Sequence, residues 1–114
     1  MDNKMYIVTQ KEKIEETYNK IDINKVKYLL SLLTKSNIAY LADYEFNKGT
    51  IWEFRVKEIT KVVYYFKNDT DIQTFLLIQN EESQEKNLKY LIQNMRQWLK
   101  LADYTNGIIQ LKFY

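Results

Sequence analysis

Apolar residues recur at helical spacing over 23–33. Ile23, Val26, Leu29, Leu30 and Leu33 share one face, and Tyr28 and Leu32 widen it. Asp22 suits the N-cap, and Lys35-Ser36-Asn37 suits the end. A second helical stripe runs through Leu88, Leu91, Ile92, Met95, Leu99 and Ala102, flanked by Trp98. It predicts a long amphipathic helix over 81–102, with Asn80 as its cap. Between the two helices the period is two. Ile38, Tyr40, Ala42, Tyr44 and Phe46 point one way, and Trp52, Phe54 and Val56 alternate with Glu53, Arg55 and Lys57. Asn47-Lys48-Gly49 supplies a hairpin turn that sets Tyr44 opposite Trp52 and Ala42 opposite Phe54.

Residues 61–67, Lys-Val-Val-Tyr-Tyr-Phe-Lys, read as a third strand by β propensity. Asn68–Asp71 reads as a turn and 72–79 as a fourth strand. Two registers stay open there, one pairing Lys67 with Ile72 and the other Phe66 with Ile72. Asn106-Gly107 is a turn before a last strand over 108–114. The N-terminal stretch reads two ways. Met5–Thr9 suits a short strand, while Ile7, Ile14, Tyr18 and Ile21 also fit a helix stripe, and a helix from about Lys11 is favoured. The expected fold is α+β in the order α-α-β-β-β-β-α-β. It has an antiparallel sheet of about four to five strands, two N-terminal helices and one long C-terminal amphipathic helix. One domain over 1–114 accounts for the length.

Composition narrows the chemistry. With 46% hydrophobic and 28% charged residues, the chain can build a core. It contains no Cys and no His, which removes disulfides, thiolate nucleophiles and zinc-thiolate sites, and also the commonest general base. Ser31, Ser36 and Ser83 sit in no nucleophile elbow, and the two glycines, Gly49 and Gly107, cannot form a phosphate-binding loop. Glu53 and Glu58, five apart on a strand, would face opposite ways. Asp69-Thr70-Asp71 reads as a solvated turn before a metal site. Neither catalysis, nor a cofactor, nor a metal is expected. The first ten residues lack the apolar core of an export signal, and no stretch approaches the ~20 apolar residues of a membrane span, so a cytoplasmic protein is expected. Abundant Lys, Asn, Ile and Tyr match an AT-rich genome such as a phage, plasmid or low-GC host.

The net charge of +2 is small, but the charges are sorted. Residues 68–85 hold Asp69, Asp71, Glu81, Glu82 and Glu85 and no base, whereas 86–100 hold Lys86, Lys89, Arg96 and Lys100 and no acid. With Gln93, these cations fall on one helical face that could meet phosphates or an acidic surface. The helix macrodipole favours the same distribution without any ligand. Arg55, Lys57, Tyr65 and Lys67 form a second candidate face, mixing cations with aromatics. Val63 and Tyr65 on one side of their strand, and Val62, Tyr64 and Phe66 on the other, leave apolar residues on both sheet faces. Tyr90, Asn94, Gln97 and Leu101 lie off the long helix's core stripe. The expected function is a small non-enzymatic protein-binding protein, an inhibitor or accessory factor of a phage or other mobile element. Partner contacts are expected at Lys86, Lys89, Arg96, Lys100, Arg55, Lys57, Tyr65 and Tyr90. The alternative is nucleic-acid binding through the basic stripe, and self-association is a further option.

Overall fold

The structure, a computed structural model, describes residues 3–8, 14–21, 23–41 and 51–113. Strands β1 (Asn3–Val8) and β2 (Ile14–Ile21) precede helix α1 (Ile23–Lys35). Strand β3 (Ile51–Arg55) runs straight into α2 (Val56–Tyr65), followed by α3 (Asp69–Ile78). A 3-10 turn (Glu82–Gln84) leads into α4 (Glu85–Leu101), and β4 (Ile108–Phe113) ends the order. The class is α+β, and the four described strands form one antiparallel sheet in the order β2-β1-β4-β3.

The sheet buries one row of side chains. Trp52 faces Leu111 and Phe54 faces Ile109 across β3 and β4, and Leu111 also faces Ile7 of β1. All five are buried, while Glu53 and Arg55 are exposed, which is the alternation of a half-buried strand. Helix α4 lays Leu88, Leu91, Ile92, Met95 and Trp98 into the same core and packs on the other three helices and on β1 and β2. The Trp98 ring stacks on Phe54, with centroids 6.1 Å apart and planes 8° apart, joining α4 to the sheet.

Several expectations are corrected. Most of the expected first helix is β2: pairing with β1 overrides the helix formers of this stretch, and most of the contacts it makes are cross-strand. The expected third and fourth strands are α2 and α3. Buried Glu58, Ile59 and Val62 on α2, and Ile72, Phe75 and Leu76 on α3, repeat with a helical period. The β-branched and aromatic residues that suggested strands are accommodated because β propensity mostly reflects packing. Both proposed registers after Lys67, and the notion of a two-faced apolar sheet, fall with those strands. Asn68 is a helix cap rather than part of a turn, its side chain accepting the Asp71 N–H at 3.0 Å. Asn80 closes α3 instead of opening α4. At φ 57° it sits in the left-handed region, with Glu81 N–H on Leu76 O and Asn80 N–H on Leu77 O. Asn37 ends α1 in the same way at φ 61°. The long helix therefore starts at Glu85 instead of 81.

Of the expected hairpin, residues 42–50 lie outside the described residues, as does the Asp22 cap. Residues 38–41 are not strand, and the described partner of β3 is β4. Helices α1 and α4 and the strands β3 and β4 stand close to where the sequence put them, although Val56 and Lys57 belong to α2. The turn before β4 needs Gly107, whose φ is +78°. No helix of the described residues is long and apolar enough to cross a membrane.

Candidate functional site

The basic stripe of α4 is partly consumed within the fold. Lys89 Nζ lies 2.8 Å from Glu85 Oε2 and 3.4 Å from Asp69 Oδ2. The Glu85 carboxylate foremost, then Asp69, raises the Lys89 pKa, with desolvation opposing them. Arg96 Nη2 donates to the Phe66 carbonyl at 2.9 Å and so holds the end of α2. Lys86 and Lys100 remain exposed near opposite ends of the helix. Lys86, Lys89, Tyr90 and Gln93 border one shallow depression together with Glu85, whose carboxylate breaks the run of positive charge. Asn94, expected off the core, is buried and donates its side-chain amide to the Tyr90 carbonyl at 2.9 Å. Arg96→Gln should cost about 1.5–3 kcal/mol in urea unfolding, because it removes a charge-assisted hydrogen bond, while Lys100→Gln should leave stability within about 0.5 kcal/mol.

Arg55, Lys57 and Tyr65 do not share a strand face. Arg55 ends β3, Lys57 lies in the first turn of α2, and Tyr65 ends that helix. All three are exposed. Tyr65 packs edge-on against Phe66 at 4.8 Å and Phe75 at 6.5 Å, which fixes it beside α3. There it walls a groove of about 380 Å³ between the end of α1 and α3, with Ile38, Phe75 and Ile78 as its apolar lining and Ser36, Asp71, Thr74 and Gln79 as its polar lining. Sequence reasoning missed this groove. Ile78 is 75% exposed and Leu77 65%, and Tyr64, beside Tyr65, is 69% exposed. Leu77 and Ile78 lie off the buried triad Ile72, Phe75 and Leu76, a signal visible only once the segment is read with a helical period. Tyr90 is exposed on α4, apart from the groove lining.

The acids are engaged locally. Glu58 is buried on α2 rather than placed on a strand with Glu53. Its Oε1 accepts the Tyr40 N–H at 2.7 Å, and its Oε2 lies 2.9 Å from Lys61 Nζ. The Tyr40 hydrogen bond foremost, then Lys61, holds its carboxyl below the usual value. Glu53 accepts from Gln110 on the exposed side of the sheet, at 3.0 Å. Asp71 Oδ2 accepts the Lys67 N–H at 3.0 Å, so the Asp69-Thr70-Asp71 segment serves helix capping and ion pairing. Among the described residues no group of three or more acidic side chains is arranged to hold a metal ion.

No protein-family model matches the chain, and neither a curated protein nor a solved structure matches it. The reading of its function therefore rests on its own surface.

Proposed function

We propose that the protein acts by binding another protein, without catalysis, through the corner formed by α2 and α3. One observation carries this reading: four of the most exposed large apolar side chains among the described residues, Tyr64, Tyr65, Leu77 and Ile78, lie on these two helices, and Tyr65 and Ile78 wall the same groove. Leaving Leu77 and Ile78 in water forgoes about 1.5–3 kcal/mol of burial each. Large apolar side chains exposed together, as Tyr65 and Ile78 are in this groove, are typical of a surface covered in the functional state. Tyrosines beside aliphatic side chains are also the composition of interface cores. An inhibitor or accessory factor, including one carried by a phage or plasmid, fits a protein that exposes large apolar side chains at this corner. The nucleic-acid alternative loses two of its four helix cations, Lys89 and Arg96, to intramolecular contacts.

The test is affinity capture from a lysate of the source organism after nuclease treatment, comparing the wild type with Leu77→Gln/Ile78→Gln. Both positions are exposed, so the double variant should keep its stability within about 0.5 kcal/mol per site. A protein held in stoichiometric amount by the wild type and lost from the variant is the expected result. Equal capture by both proteins would refute this surface.

A further inference from the structure

We draw no further inference here: the strongest candidate, the groove walled by Ile38, Tyr65, Phe75 and Ile78 between the end of α1 and α3, belongs to the surface already described, and nothing in the structure shows what covers it.

Discussion

Trp98→Ala should remove about 3–5 kcal/mol of stability, the usual cost of emptying a large aromatic site in a core. The ring is fully buried and joins two layers, because it lies parallel to Phe54 of β3 while Phe54 meets Trp52 edge-on at 6.2 Å and 87°. Its loss opens a cavity between α4 and the sheet that two elements tied into the core cannot both close. Since small domains are stable by about 5–15 kcal/mol, the variant should sit near the edge of folding. Urea unfolding followed by circular dichroism measures this as a fall in midpoint. Trp98→Phe should be far milder. The indole N–H has no hydrogen-bond partner among the described residues, so phenylalanine keeps a stacking ring and removes a buried donor. Equal losses for the two variants would contradict the packing account.

Glu58→Ala should be the next most costly change, at about 2–3 kcal/mol. It leaves the Tyr40 N–H without its acceptor and Lys61 without its partner, which is the penalty of orphaning groups around a buried charge. Glu58→Gln keeps an acceptor for Tyr40 and gives up only the charge, so it should cost about 1 kcal/mol. The same carboxyl predicts a pH dependence. Its pKa is lowered from the ordinary 4.5 in the folded protein, first by the Tyr40 N–H and then by Lys61. The stabilisation is therefore fully present above the unfolded-state value and is lost as pH falls through the folded-state value. Wild-type stability should drop on acidification below about 4.5, and Glu58→Gln should lack that part of the drop. Parallel acid profiles for the two proteins would show that the clasp contributes nothing.

The elements legible in the sequence were those whose local pattern and tertiary role agree. The stripe Leu88-Leu91-Ile92-Met95 is helical by period and buried in fact, and Trp52 and Phe54 alternate and are buried in fact. The remainder was illegible for two physical reasons. Helix α2 carries Val62, Val63, Tyr64 and Tyr65 and is capped by Phe66, all residues with β propensity, and β3 passes into α2 with no turn residue between them. The boundary is set instead by a tertiary contact, the Val56 N–H on the Gly107 carbonyl at 2.9 Å. Strand β2 is rich in helix formers and becomes strand by pairing with β1, a non-local interaction that no window of sequence contains. The candidate surface was half visible. Arg55, Lys57 and Tyr65 were marked by the mixture of cations and aromatics, but strand geometry gathered on one face residues that lie at the end of β3 and at the two ends of α2. Leu77 and Ile78 were legible only as apolar residues on opposite faces of a strand, and their joint exposure emerged when α3 proved helical. On α4, sequence spacing could not reveal that Lys89 and Arg96 have internal partners.

The central claim, protein binding at the corner of α2 and α3, is tested most directly by site-specific photo-crosslinking in cells of the source organism. A benzoylphenylalanine is placed in turn at Tyr64, at Ile78 and, on the outer face of α4, at Lys86. The account predicts nuclease-resistant adducts to one protein from positions 64 and 78, and none from 86. Adducts from 86 alone, or adducts that nuclease destroys, would contradict it.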